Sequence, residues 1–199
     1  MTADPLVARL RAAGSVFAED EAAVLRAEAP DPATLQAWVG RRAAGEPLEV
    51  IVGFADLDGV RVAVAPGVFV PRRRSLLLAR AAVDHLLHSG TADRSPPPDR
   101  TVVDLCCGTG ALGLVVARTV AGVTLHAVDV DPAAVACAAA NLAAVGGEVH
   151  VGDLDAPLPR HLVGRVDVLI ANTPYVPTGA VRNLPPEARD HEPALALAG

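Results

Sequence analysis

The rhythm of apolar and polar positions changes twice along this chain. Over roughly the first 45 residues, apolar positions return at helical spacing, as at Leu6, Leu10 and Ala13. Asp20 is placed to cap a helix running through Ala29, and Asp31-Pro32 to open another through Arg42. Then come two apolar runs, LEVIVGF (48–54) and VRVAV (60–64), which read as strands joined by the turn residues Asp58-Gly59. A helix is predicted from about Ser75 to His88, and the proline-rich RSPPPDR, Arg94 to Arg100, reads as an exposed loop.

From Thr101 the pattern alternates strand and helix. TVVDLC is a short apolar strand, and Gly110 to Ala121 a helix. TLHAVDV is a second strand, after which Asp131-Pro132 caps a helix reaching about Ala144. EVHV and VDVLIA supply a third and a fourth strand. This alternation predicts an α/β fold of parallel strands with crossover helices.

A length of 199 residues suits one domain with a small appendage, and 51% hydrophobic residues suffice for a core. A net charge of -6 argues against a broad nucleic-acid footprint. It leaves one local basic patch, Arg72, Arg73 and Arg74, expected to be solvated or to meet an acidic partner. The three cysteines, Cys106, Cys107 and Cys137, are odd in number and two are adjacent, so no disulfide framework is expected. Their spacing matches no zinc site, and no metal is expected. The start, MTADPLVARLRAAG, lacks a long apolar segment. Together these features predict a soluble cytoplasmic protein without a membrane span.

The candidate chemistry begins at GTGALG, residues 108–113, a literal G-x-G-x-x-G between a strand and a helix. Asp129 ends the next strand, where an acidic residue can hold ribose hydroxyls. Those two features alone fit a nicotinamide-dependent oxidoreductase. However, Asp104 lies just before the glycines, where a carboxylate would repel a pyrophosphate and suit an ammonium group. Asp153, in VGDLDAPLP, adds a third acceptor at the same sheet edge. A cationic, adenine- and ribose-bearing ligand without phosphates fits best, and S-adenosylmethionine is such a ligand. The competing plain readings are a tight turn for Gly108 and Gly110, a loop carboxylate for Asp153, and packing roles for Cys106 and Cys107.

With VDLCCGTGALGLVVAR, LHAVDVDPAAVACAAANL and VGDLDAPLP, the chain resembles the Rossmann-like methyltransferases. More narrowly, it resembles the protein-(glutamine-N5) methyltransferases that modify peptide chain release factors, the HemK/PrmC family. PGVFVPRRRSLLLARAA is similar to that family's IPRPDTE segment, NTPY to its NPPY loop, and RDHEPALALAG to its "EP...AL.GG" segment. The resemblance implies a Rossmann-like S-adenosylmethionine-dependent sheet, with its first four strands present, behind a small N-terminal helical domain. It implies a substrate-recognition domain over 1–48, a connecting hairpin segment over 49–74 and the partial catalytic domain over 75–199. It further implies that Asp104, Gly108, Thr109, Gly110, Asp129, Asp153 and Asn172 hold the cofactor. Asn172, Thr173, Pro174 and Tyr175 would hold the acceptor amide, with Asn172, Pro174 and Tyr175 the catalytic set. The implied partner is a release factor, and a monomer acting on neither membrane nor nucleic acid is expected.

A glutamine nitrogen is a weak nucleophile, because its lone pair is delocalised into the carbonyl. Such a group needs acceptors that orient it more than it needs a strong base. The Asn172 side chain and the next backbone carbonyl can accept its two N–H groups, Pro174 stiffens the loop, and Tyr175 covers the flat amide. Thr173 departs from the family's NPPY but retains a carbonyl, and Pro174 biases it towards an extended conformation. The chain stops soon after its fourth strand, where the family continues. A fragment, a natural truncation and a chain completed by a partner are all compatible with that ending. Three alternatives stay open: a methyltransferase for nucleic-acid base amines, a truncated cofactor-binding remnant, and the nicotinamide enzyme.

Overall fold

The structure, a computed structural model, describes residues 4–88 and 100–199. Three helices come first. α1 (Pro5–Ala12) starts at Asp4, whose carboxylate accepts the Leu6 N–H at 3.0 Å. α2 spans Ala18–Glu28. α3 (Pro32–Ala43) is capped as expected, Asp31 accepting the N–H groups of Ala33 and Thr34 at 2.8 and 2.9 Å. Asp20 does not cap α2. That helix begins after Phe17, and Glu19, Asp20 and Glu21 fill its first turn, where carboxylates meet the positive end of the helix dipole.

The LEVIVGF run is not one strand. Residues Leu48–Val52 form a short helix, α4, closed by Gly53 at φ 83°, and β1 is limited to Phe54–Leu57. Tertiary packing outweighs the β-branched content. Helical spacing turns Leu48, Ile51 and Val52 onto the apolar cluster that α1–α3 build from Leu10, Leu25 and Val39. β2 (Val60–Ala63) then pairs antiparallel with β1 across Asp58 and Gly59, both at positive φ. α5 (Leu76–His88) follows a 3-10 turn over Arg73–Ser75. Of the expected Arg94–Arg100 loop, residues 94–99 lie outside the described residues, and Arg100 already belongs to the next strand.

The main sheet is fully parallel. Its strands are β3 (Arg100–Leu105), β4 (Val123–Asp129), β5 (Glu148–Val151) and β6 (Val168–Ala171), in spatial order β5-β4-β3-β6. Crossover helices α6 (Ala111–Thr119) and α7 (Pro132–Leu142) join α5 on one face, packed on Val102, Leu125, Ala127 and Ile170. On the other face Val103, Leu105 and Val128 pack with Ala171 of β6 and with Leu158. β6 stands at the sheet's edge among the described residues, with Leu169 56% exposed, although its apolar run suits a strand covered on both faces. Two short helices, α8 (Pro186–His191) and α9 (Ala194–Leu197), follow. Among the described residues no helix is long and apolar enough to cross a membrane.

This order positions the site. From β3 the chain steps to β4 and β5 on one side, while β6 lies on the other. The direction reverses at β3, and ligands of open α/β sheets bind beyond the carboxyl ends of the strands at such a switch.

Candidate active site

A cavity of about 970 Å³ opens at that switch point. β3 delivers Asp104, on the helix-bearing face and only 1% exposed. Its Oδ2 accepts the Gly113 N–H of α6 at 2.9 Å. Burial pushes the Asp104 carboxyl up to about 7, against the pull of that N–H, and the charge of Asp129 pushes the same way. Such a carboxylate, held in low dielectric with no counter-ion among the described residues, favours a cation beside it.

The chain then turns sharply through Cys106, at φ 52°, into the glycines. Gly108 has φ 54° and faces open space, so a ligand can approach its backbone closely. Gly113 answers a different need. A Cβ there would come within 3.0 Å of Leu125 Cδ1 and 3.2 Å of Asp104 Oδ2, so the absent side chain lets α6 lie against β3 and β4. Asp129 braces the loop from β4: one oxygen accepts the Gly108 N–H at 2.8 Å and the other the Asp131 N–H at 3.0 Å. Asp131 itself caps α7 through the Ala133 N–H. Cys106 is half-buried and Cys107 buried, and burial followed by the neighbouring carboxylates raises both thiols. Cys107 packs in the core, while Cys106 lines the cavity.

The cavity's second wall follows β5, where Asp153 is exposed and Leu154 holds φ 46°. Its third follows β6. Asn172 and Pro174 are half-buried, and Thr173 and Tyr175 are exposed. The Tyr175 hydroxyl accepts from Arg74 Nη2 at 2.8 Å. The loop is tied further along, because Val176 donates to the Leu197 carbonyl at 3.0 Å and accepts from the Gly199 N–H at 3.0 Å. All the residues expected to hold cofactor or acceptor line this one cavity except Gly110, which turns the loop at φ 73° beneath Ala138 and Leu142. A model described as the methyltransferase small domain matches residues 62–184.

The chain belongs to that methyltransferase family. It is 39% identical over 184 residues to a release factor glutamine methyltransferase of Mycolicibacterium smegmatis, covering 90% of this chain and 62% of that one. To a release factor glutamine methyltransferase of Streptomyces coelicolor it is 35% identical over 159 residues, covering 80% and 54%. It is also 36% identical over 168 residues to a 4-amino-L-phenylalanine/4-methylamino-L-phenylalanine methyltransferase of Streptomyces pristinaespiralis, covering 84% and 56%. The chain thus spans 54–62% of the length of these curated relatives.

In this methyltransferase domain Arg73 and Arg74 are exposed, as expected, but Arg72 is half-buried and departs from expectation. Arg72 is neither solvated nor waiting for an outside acid. It forms an ion pair with Glu192, 120 positions away and 6% exposed, whose second carboxylate oxygen is buried without a hydrogen bond. Burial raises the Glu192 carboxyl, and Arg72 opposes that rise. Asn141 is a second residue the sequence reading passed over. Its amide donates to the carbonyls of Thr109 and Ala63 at 2.8 and 3.0 Å and accepts the Ala63 N–H at 2.8 Å, joining β2 to the glycine loop. Phe17, from the N-terminal helices, also reaches the cavity rim. No site motif marks Asn141 or Phe17, and although Arg72 and Glu192 both fall in segments that resemble the family's, neither segment reveals their pairing across 120 positions.

Proposed function

We propose that the chain binds S-adenosylmethionine at the β3–β4–β5 end of the cavity and methylates the side-chain nitrogen of a glutamine in a peptide chain release factor. The observation that carries this reading is that the acidic glycine loop and the NTPY loop open into one cavity. The residues present fit the cofactor: a buried carboxylate at Asp104 with no counter-ion among the described residues, a glycine facing open space at Gly108, and acceptors at Asp129 and Asp153 beside apolar Val130 and Leu154. When bound, the cofactor supplies an electrophilic methyl group on a sulfonium centre. Asp104 would meet its ammonium group, Thr109 and the backbone of Gly108 its methionine part, Asp129 its ribose, and Asp153 with Val130 and Leu154 its adenine, while Gly110 shapes the turn from beneath.

At the other end, Asn172 Oδ1 and the Thr173 carbonyl would accept the two amide N–H groups and point the nitrogen lone pair into the cavity. Positive charge grows on that nitrogen as it is methylated, and these fixed acceptors stabilise it until one proton leaves to water. Pro174 and Tyr175 would hold the amide plane. The N-terminal helices would grip the protein substrate, with the whole acting as a cytoplasmic monomer. The test uses labelled methyl groups offered with release factor and, separately, with DNA. Label on the release factor that disappears with Asn172→Ala supports the proposal, whereas label on DNA alone sinks it.

One observation favours a second reading. The Streptomyces pristinaespiralis relative, named for an aromatic amine, is as similar as the release-factor relatives, 36% against 35–39%. An aryl amine presents the same problem as an amide, a lone pair delocalised into a π system. Methylation of 4-amino-L-phenylalanine in preference to release factor would establish this reading over the first.

A further inference from the structure

Away from the cavity, three potential ligands meet on the sheet face opposite the crossover helices. His126 on β4 stands directly across from Glu148 on β5, and His150 is two residues further along β5, so the pleat turns all three the same way. The His126 Nδ1 and His150 Nε2 atoms are 3.3 Å apart. Glu148 Oε2 lies 3.6 Å from the first and 4.0 Å from the second. The His126 side chain is 2% exposed, whereas His150 is partly open and Glu148 largely so.

We infer that His126, Glu148 and His150 form a binding site for a divalent transition metal, with zinc the best-fitting ion. Two nitrogens bound at about 2.0–2.1 Å to a tetrahedral zinc lie about 3.3–3.4 Å apart. The imidazoles already have that separation, and a small rotation of the Glu148 side chain closes the third distance. Two imidazoles with one carboxylate suit zinc, whereas magnesium and calcium require mostly oxygen ligands. The outward side, where Glu148 meets solvent, leaves the fourth position to water. Without metal, the facing nitrogens share one proton in a hydrogen bond, which the metal would replace. Cysteine and histidine spacing did not reveal the site because its ligands come from paired strands instead of a short motif. Ligation would clamp edge strand β5 to β4, three residues before Asp153, and so stiffen one wall of the cavity.

The test is zinc stoichiometry by equilibrium dialysis of the full chain, together with thermal unfolding with zinc and with a chelator. The wild-type chain is expected to bind one more zinc ion than His150→Ala, and to show a chelator-reversible rise in Tm that this variant lacks. Glu148→Gln, at an exposed position, is expected to weaken binding without changing the metal-free Tm. Equal stoichiometry in wild type and His150→Ala would place the ion elsewhere, for instance on the cysteines, and overturn the proposal. No bound zinc would reduce the cluster to a pair of hydrogen-bonded imidazoles, and would overturn it equally.

Discussion

The two loops that meet in the cavity are built on different principles. The glycine loop after β3 is fixed from within: Asp104 and Asp129 accept its N–H groups, Asn141 holds the Thr109 carbonyl, and Gly113 lets a helix close over it. The NTPY loop after β6 is fixed from outside, by Arg74 on Tyr175 and by residues 197–199 alongside Val176. The first uses the core that any folded copy of the domain must have. The second depends on ties to residues roughly 20 to 100 positions away, at an edge strand. Cofactor binding should therefore survive damage to the acceptor loop, while the converse should fail.

The largest effect is expected from Asp104→Asn. The folded chain holds the Asp104 proton up to about pH 7, while the unfolded chain loses it near pH 4. Its contribution to stability is therefore full below about pH 4 and gone above about pH 7, a change of roughly 4 kcal/mol. The asparagine variant escapes that loss, so urea unfolding at pH 8 should find it more stable than the wild type in the absence of ligand. Its affinity for S-adenosylhomocysteine should fall roughly 10- to 100-fold, because a charged hydrogen bond is lost. A variant that binds normally would remove Asp104 from the cofactor site.

Next comes Arg72→Ala, which leaves Glu192 buried without its counter-charge. A loss of about 3 kcal/mol is expected at pH 8. The loss should shrink towards pH 5, because burial raises the Glu192 carboxyl and lets it take up a proton. Adding Glu192→Gln should restore much of the stability. If hydrogen exchange in residues 176–199 did not quicken in the single variant, the ion pair would not be what holds the acceptor side together. Gly113→Ala should cost about 1–3 kcal/mol through overpacking against Leu125, partly offset by better helix propensity. Tyr175→Phe should be the mildest. It removes one exposed hydrogen bond, costs under about 1 kcal/mol, and should slow methyl transfer without altering S-adenosylhomocysteine affinity. A clear loss of cofactor affinity here would erase the distinction between the two loops.

The glycine loop was legible in sequence because its makers are local: Asp104, the glycines and Asp129 lie within 26 consecutive positions, spaced by one strand, one turn and one helix. Asp131-Pro132 and Asp31-Pro32 marked helix starts for the same reason. The misreadings occurred where distant partners decide. Leu48–Val52 has strand-like residues but becomes a helix, because Ile51 is drawn into a cluster formed by residues as distant as Leu6. From sequence, the arginine patch is expected to be solvated or to meet an acidic partner, but nothing near it reveals that Arg72 finds its acid within the chain, at Glu192. The NTPY motif stood out in sequence, but its supports on Arg74 and residues 197–199 did not, because both are distant partners.

The position of β6 also sets a timetable for folding. β3 can pair with β4 soon after both leave the ribosome, but its other flank must wait for Val168–Ala171. At about 5–20 residues per second, the roughly 60 intervening residues leave that flank open for about 3–12 s. During that interval β3 is an apolar strand with an unpaired edge, a template for pairing with other nascent chains. Asp104 sits within it, and in an unfolded segment the carboxyl is ionised at neutral pH. On that ground the side chain that costs the finished domain stability would also act as a gatekeeper against aggregation during synthesis. If so, Asp104→Asn should refold in lower yield than the wild type as protein concentration rises, despite its greater stability at pH 8. Equal yields would leave the carboxylate with its proposed cofactor-binding role alone.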